Sequence, residues 1–267
     1  MTSISRQTKK IRKIYRWLLF LATIAGVGYF IGKNINQLSR HSFSLNYPLI
    51  FISLASVVLA YILRFLLWQY LTSIIGLKAH LLESARGYFL SILGRYIPGK
   101  LGLALIRIEA YKSYPTDMIV MATGIELISA LTSAMILAFV GLLNPIIKIP
   151  TYFRIIPFAG IVALLFLLSP KVFDRISGKI LAFVYKKSPE MNISYSKRMI
   201  LALLYTIPGL FHGLGLFLII NSFTHLPLNA YITITGIYYG ASLIAVSYTH
   251  LRAHETRHDL VCRLLLE

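Results

Sequence analysis

The chain has 267 residues, of which 57% are hydrophobic and 13% charged, and its mean hydropathy is +0.72. Because a soluble domain carries about a quarter charged residues, this composition leaves too little polar surface for a water-exposed globule. Lysine and arginine number 27 against nine acidic residues, a formal net charge of +18. Since these cations sit between apolar blocks, membrane topology and anionic lipid headgroups explain them without a nucleic-acid partner.

Six apolar blocks are predicted to cross a bilayer, for which a helix needs roughly 20 residues; three of them reach that length and three are shorter. The first follows a basic N-terminal segment. No small-residue cleavage site comes after it, so we expect an uncleaved helix rather than a signal peptide. Pro145 and Pro170 end the third and fourth blocks, and Pro208 predicts a kink in the fifth. The predicted spans cover residues 17–31, 48–71, 116–143, 155–168, 199–220 and 231–246.

Two further segments are apolar but do not read as simple spans. Residues 81–112 alternate apolar turns with cations and are broken at Pro98-Gly99, which predicts a re-entrant hairpin or a pair of interfacial helices. Residues 172–185 place apolar side chains opposite Lys171, Arg175 and Lys179, which predicts an amphipathic helix on the cytoplasmic face. The expected fold is therefore all-α, a polytopic transmembrane bundle of about six spans with these two additions.

The loop charges set the predicted orientation. With the N-terminus inside, the expected outside loops hold two, two and no lysines or arginines, whereas the inside segments hold six, six and seven. Cytoplasmic loops collect such cations, so we predict a multi-pass protein of the cell (inner) membrane with a cytoplasmic N-terminus. The last inside segment runs from Lys171 to Arg198.

Three motifs are weak. His254 to His258 fits the H-E-x-x-H zinc pattern, but the tail from Ser247 resembles a translated sequencing-adapter read-through, so we expect no metal site. Gly94 to Lys100 matches the first seven P-loop positions and fails at the eighth, Leu101. The single cysteine, Cys262, permits no intrachain disulfide. We expect a membrane domain over residues 1–246 that is incomplete at its C-terminal end, a non-native segment over 247–267, and no cofactor.

Charged residues inside apolar regions mark the candidate site, because charges at membrane depth are costly and tend to be functional. Arg95, Lys100 and Arg107 lie around the Pro-Gly break, where cations and free backbone N–H groups suit a lipid phosphate. A cytoplasmic loop that binds nothing is the alternative. Glu126 lies too deep in its span to reach the interface. Its expected role is therefore a buried ion pair, with Arg64, Arg95 or Arg107 as the candidate partner. Arg64 could instead extend to the headgroups.

The block Gly94-Arg95-Tyr96-Ile97-Pro98-Gly99-Lys100, followed by Arg107 and Glu126, resembles the flippase-like family of lysylphosphatidylglycerol synthase transmembrane regions. The Tyr61 to Phe65 pattern is similar to that family too. The resemblance implies a polytopic inner-membrane protein. Some members carry aminoacylated phosphatidylglycerol across the bilayer, and others work beside polyprenyl-linked or glycolipid pathways. It implies no synthase activity here, since that belongs to a separate soluble domain.

Two functions follow as hypotheses. The first is a lipid flippase or translocase for an anionic phospholipid or lipid-linked headgroup, with Arg95, Lys100 and Arg107 on the phosphate and Glu126 orienting them or moving a proton. The alternative is a non-transporting membrane subunit that anchors a soluble transferase of a glycolipid or aminoacyl-lipid pathway. The expected partners are membrane lipids; the sequence leaves a soluble transferase and a homo-oligomer open and favours no nucleic acid.

Overall fold

A computed structural model describes residues 46–77, 79–94, 101–112, 114–145, 150, 152–185 and 193–244, together with positions 21, 24–26, 28, 29 and 32. The chain forms two compact units, residues 1–45 and residues 46–267. In the first, the described positions are helical and exposed. Most of the first predicted span and all of the tail from residue 245 lie outside the described residues.

The second unit is built from helices, and no β-strand occurs in the part of the chain that the structure describes. We label the described helices of this unit α1 to α9. They are α1 (Tyr47–Ile75), α2 (Leu81–Leu93), α3 (Leu101–Ala110), α4 (Thr116–Leu143), α5 (Tyr152–Leu167), α6 (Pro170–Tyr185), α7 (Tyr195–Leu204), α8 (Thr206–Asn221) and α9 (Ala230–Ile244).

Helix α1 is the longest described element, with 29 residues. Pro48 lies in its first turn, where a missing N–H costs nothing. Gly76 ends the helix in the left-handed region at φ 90°, a conformation that favours glycine. This turn lets the N–H of Leu77 donate to the carbonyl of Thr72 at 2.9 Å, so the last carbonyls of α1 are satisfied.

Three stretches of described helix are long and apolar enough to cross a membrane: α1, α4, and α7 together with α8. A fourth is obtained if α5 and α6, which meet at a bend of 73°, are counted as one broken span. Their outward faces are apolar, as the exposed Phe51, Leu131 and Phe158 illustrate. The all-α class and the compatibility with a membrane protein agree with the sequence.

The spans pack through small residues and hydroxyl groups. Ser53 and Ser56 of α1 each donate a hydrogen bond of 2.7 Å to a backbone carbonyl of α8. At the α4–α9 crossing, Gly141 lies directly against Gly236, leaving no room for a side chain between the backbones. Close approach at small residues is the usual way in which helices associate in lipid, where burial of apolar surface gives little drive.

Proline positions explain where two helices break. The α7–α8 interruption falls at Tyr205, one turn before Pro208. Proline has no N–H to donate to the carbonyl of Leu204, four residues earlier, and its ring clashes with that carbonyl. Pro170, which the sequence suggests as the end of the fourth span, is the first residue of α6 after the bend. The Pro98-Gly99 break lies outside the described residues, between α2 and α3, which pack against each other.

Candidate functional site

An ion pair inside the bundle joins Arg107 of α3 to Glu126 of α4. Arg107 is 1% exposed and Glu126 5% exposed. The guanidinium also donates through Nε to the Ser91 hydroxyl at 3.1 Å and through Nη1 to the Thr123 hydroxyl at 3.3 Å. Because a charge buried alone is strongly destabilising, each member of this pair needs the other.

Aromatic rings complete the surroundings of Arg107. Its guanidinium carbon lies 3.8 Å from the centroid of the Trp68 ring and 5.2 Å from that of Tyr88. A cation over an aromatic face is attracted by the ring quadrupole, and the gain grows when water is excluded. The charge is therefore held between a carboxylate and π faces, which ties α1 and α2 to α3 and α4.

A chain of hydrogen bonds leads from Trp68 of α1 through Tyr111 and Ser84 and returns to α1 at Gln69. The indole N–H of Trp68 donates to the Tyr111 hydroxyl at 2.8 Å, and that hydroxyl lies 2.7 Å from the hydroxyl of Ser84. Ser84 in turn donates to the side-chain carbonyl of Gln69 at 2.5 Å. Burial raises the pKa of the Tyr111 hydroxyl above its ordinary value and outweighs the opposite effect of its hydrogen bonds with Ser84 and Trp68. The ring thus stays neutral and can both accept and donate.

The buried face of α4 carries a polar stripe, which we define as Thr123, Glu126, Ser129 and Ser133. These residues are spaced by three, three and four positions, so they lie on one side of the helix. All four are at most 5% exposed. Helix α4 therefore turns a polar stripe toward the bundle beside apolar core residues such as Met121 and Ile125, while its outer face is apolar.

Arg64 of α1 also lies toward this polar interior. The groups acting on it electrostatically are the hydroxyls of Tyr239, Tyr88 and Tyr205 and the carboxylate of Glu126. Its Nε is shielded from solvent and has no hydrogen-bond partner among the residues that the structure describes.

A second ion pair lies at the α5–α6 bend. Arg198 of α7, which is 0% exposed, donates to the carboxylate of Asp174 at 2.9 Å and to the carbonyl of Leu168 at 3.5 Å. Its guanidinium lies 5.1 Å from the centroid of the Phe173 ring. Arg198 thus contacts the bend itself, through Leu168, and the first turns of α6, through Phe173 and Asp174.

The predicted site residues are distributed as follows. Of the three candidate partners of Glu126, Arg107 is the one with which the structure pairs it. Arg64 shares the same interior but forms no ion pair within the described part of the chain. Arg95 and Lys100 lie outside the described residues, as do His254 and His258, so their roles stay predictions.

Sequence reasoning missed several residues that shape this interior. The stripe hydroxyls of α4 could have been found from their helical spacing around Glu126. Trp68 follows Arg64 by four residues and therefore shares its face of α1. The burial of Arg198 has no such signal, since the sequence counts it simply as a loop cation.

Comparison with known proteins does not assign this chain to a family. The resemblance noted for the 94–100 block thus remains an expectation that rests on those residues. No protein-family model, no curated protein and no solved structure matches this chain.

Proposed function

We propose that this chain is a lipid translocase-like integral membrane protein that handles an anionic phospholipid or a lipid-linked headgroup. The observation that carries the proposal is the buried contact between Arg107 and Glu126, at the junction of the α2–α3 pair with α4. Charges are kept at such depth in apolar helices chiefly where a polar group must be bound or moved.

The arrangement in the membrane forms part of the proposal. Six crossings place the α2–α3 pair as a re-entrant or interfacial hairpin on the cytoplasmic side, with the N-terminus on the same side and α6 along the cell-membrane surface. The alternation of loop cations supports this orientation. The apolar exposed face of α9, which includes Ile237 and Ile244, supports a further span there.

The polar stripe of α4 supplies a route. A headgroup that enters beside the hairpin would meet Arg95 and Lys100 first and the Arg107–Glu126 pair next. Because the Nε and Nη1 groups of Arg107 are committed to Ser91, Thr123 and Glu126, a phosphate that reaches Arg107 would bind its Nη2 group or exchange with one of these contacts. Ser129 and Ser133 then continue the polar surface along α4 while the lipid tails stay against the apolar outer faces.

Lipid movement across liposomes tests the proposal. The full chain is reconstituted with fluorescent phosphatidylglycerol, and dithionite quenching reports the fraction that changes leaflet. The intact chain should accelerate exchange, and Arg95→Ala and Glu126→Gln should each slow it. Arg86→Ala, which removes an exposed cation of α2, is the matched control and should leave the rate unchanged. Equal rates with and without protein, or in all variants, would reject the assignment.

The alternative function, a non-transporting anchor for a soluble transferase, is favoured by one surface. Lys171, Arg175 and Lys179 are exposed and recur every fourth residue along α6, so they lie along one side of the helix. A basic row of this kind suits an acidic patch on a soluble enzyme as well as lipid headgroups.

Co-purification separates the two functions. If the chain is an anchor, replacing the three α6 cations by glutamine should abolish the recovery of a soluble enzyme and leave lipid exchange at the protein-free rate. If the chain is a translocase, lipid exchange should stay faster than the protein-free rate after the same replacement.

A further inference from the structure

Among the residues that the structure describes, Arg64 and Arg107 together outnumber the carboxylates that act on them. Both guanidinium groups lie in the interior lined by Tyr88 and Tyr205, and Glu126 is the single acidic group acting on Arg64 within the described residues. Since Glu126 is paired with Arg107, the interior carries one positive charge in excess. A charge away from water is costly unless an opposite charge or several hydrogen bonds compensate it.

Two hydroxyl groups, one on α4 and one at the α7–α8 break, have no hydrogen-bond partner among the residues that the structure describes. The helices that carry them pack against α1 and against each other. The two hydroxyls belong to Tyr205, which is 2% exposed, and Ser129, which is fully buried. Tyr205 lies at the α7–α8 break and is electrostatically coupled to both Glu126 and Arg64. Ser129 follows Glu126 by one helical turn on the polar stripe.

The unpartnered groups share one chemical character. The Nε of Arg64 is a donor, and the hydroxyls of Tyr205 and Ser129 can both donate. Oxyanions such as phosphate accept several such bonds at once, and charge-assisted bonds from arginine are the strongest of them. Arg107 does not belong to this group, because its charge is paired with Glu126 and its Nε and Nη1 groups already hold Glu126, Ser91 and Thr123.

We infer that Arg64, Tyr205 and Ser129 form an inner anion-binding position that takes a phosphate group. It differs from the Arg107–Glu126 contact, because it draws its donors from α1, α4 and the α7–α8 break. That the phosphate belongs to a lipid rests on the proposed function. The anion-binding chemistry does not, and it applies equally to a free phosphate.

Binding measurements on the full chain in a neutral detergent test the inference. Native mass spectrometry counts retained phosphatidylglycerol against diacylglycerol, which has the same tails but no phosphate. Thermal unfolding with and without inorganic phosphate measures binding of the free anion. Arg64→Gln should reduce retention of phosphatidylglycerol about tenfold or more, because a charge-assisted contact is lost.

Three variants refine the test. Arg64→Lys keeps the charge and should recover part of the binding. Tyr205→Phe and Ser129→Ala each delete one hydroxyl and should weaken retention several-fold with little change of shape. Arg86→Gln removes an exposed cation elsewhere and should bind like the original chain.

The outcomes separate cleanly. If Arg64→Gln loses only the retention of phosphatidylglycerol, the bound group is a lipid phosphate. If it loses the thermal shift induced by inorganic phosphate, the bound group is a free anion. Either result supports the position. Unchanged binding in folded Arg64→Gln overturns it. If that variant does not fold, unchanged retention in both Tyr205→Phe and Ser129→Ala overturns it instead. Failure of the intact chain to move lipid, with binding still dependent on Arg64, rejects translocation and leaves the anion position standing.

Discussion

The guanidinium of Arg107 lies over the indole of Trp68, with 3.8 Å between the guanidinium carbon and the ring centroid. The same guanidinium forms an ion pair with Glu126. The tryptophan comes from α1, the arginine from α3 and the glutamate from α4, so one cation holds three helices together. This contact joins the α2–α3 pair to the long spans, and the chemistry proposed for the interior depends on it.

Breaking the Arg107–Glu126 pair on one side should destabilise the chain more than removing both charges. Arg107→Leu or Glu126→Leu alone leaves a buried charge, and such changes cost about 3–5 kcal/mol. The double replacement by leucine removes both charges and should cost clearly less than the sum of the two single changes. Thermal unfolding in detergent, followed by circular dichroism, measures the differences.

A surface pair provides the control for this cycle. Glu109 and Lys112 form an ion pair three residues apart, with side chains about 70% exposed. Exposed pairs contribute little, so Lys112→Ala should leave the unfolding midpoint unchanged. Strictly additive effects of Arg107→Leu and Glu126→Leu would contradict the pairing.

Two glycines of α4 should respond to alanine with opposite signs. A Cβ at Gly141 would lie 2.8 Å from the carbonyl oxygen of Ile232 and against the Gly236 backbone, so Gly141→Ala must separate α4 from α9. Overpacking of this kind costs about 1–3 kcal/mol. A Cβ at Gly124 would meet the Phe173 ring at 3.4 Å, an ordinary contact. Gly124→Ala should therefore stabilise the chain by up to about 1 kcal/mol through helix propensity.

Unfolding midpoints of the two alanine variants, measured in the same detergent, check this prediction. A decrease for Gly141→Ala together with an increase for Gly124→Ala is expected. If both variants shift the midpoint equally, the close α4–α9 crossing is wrong.

The two sides of the Arg198–Asp174 pair should respond unequally to its loss. Arg198 is fully buried, whereas the side chain of Asp174 is 36% exposed. Asp174→Asn leaves a fully buried cation without its carboxylate, which is costly, whereas water partly solvates the acid that Arg198→Met leaves behind. Asp174→Asn should therefore lower the unfolding midpoint more than Arg198→Met, and limited proteolysis of Asp174→Asn should begin near the α5–α6 bend. The reverse order of the two midpoints would show that the buried cation does not depend on Asp174.

Tyr111 should give the chain an alkaline pH dependence. The folded chain raises the pKa of this hydroxyl above the ordinary value of 10.0. Its contribution to the free energy of unfolding is therefore complete below pH 10 and is lost as the pH rises through the folded pKa. Urea unfolding at several alkaline pH values should show a smaller decline for Tyr111→Phe than for the original chain. Identical slopes would show that Tyr111 ionises as freely when folded as when unfolded.

Helix limits were predictable where local chemistry sets them. The bounds of α4 coincide with the predicted span, because Pro115 precedes it and Asn144-Pro145 follows it. Helix α1 runs beyond the predicted residue 71 to Ile75, because Gly76, rather than the decline in hydropathy, ends it. The break at Tyr205 also follows from local chemistry, because the ring of Pro208 clashes with the carbonyl of Leu204, the residue before the break.

The contacts of the interior were less predictable than the helices. Glu126 had three cations within plausible reach, and only packing in three dimensions selects Arg107 from them. Arg198 stands beside Lys197 in the sequence, yet Lys197 is exposed and Arg198 is buried. Hydropathy treats such neighbours alike, because it does not register which face of a helix meets another element.

The 73° bend between α5 and α6 gives the bundle a lateral arm. In a bilayer that α5 crosses near the normal, such an arm runs almost parallel to the leaflet, with Lys171, Arg175 and Lys179 spread along about 12 Å of its length. The length of the apolar spans determines which hydrophobic bilayer thickness the protein matches, but it leaves the helices free to tilt and to rotate about the bilayer normal. A row of cations parallel to the leaflet is attracted to anionic headgroups and resists both motions. The arm would therefore set the depth and the rotational orientation of the neighbouring helices in the bilayer.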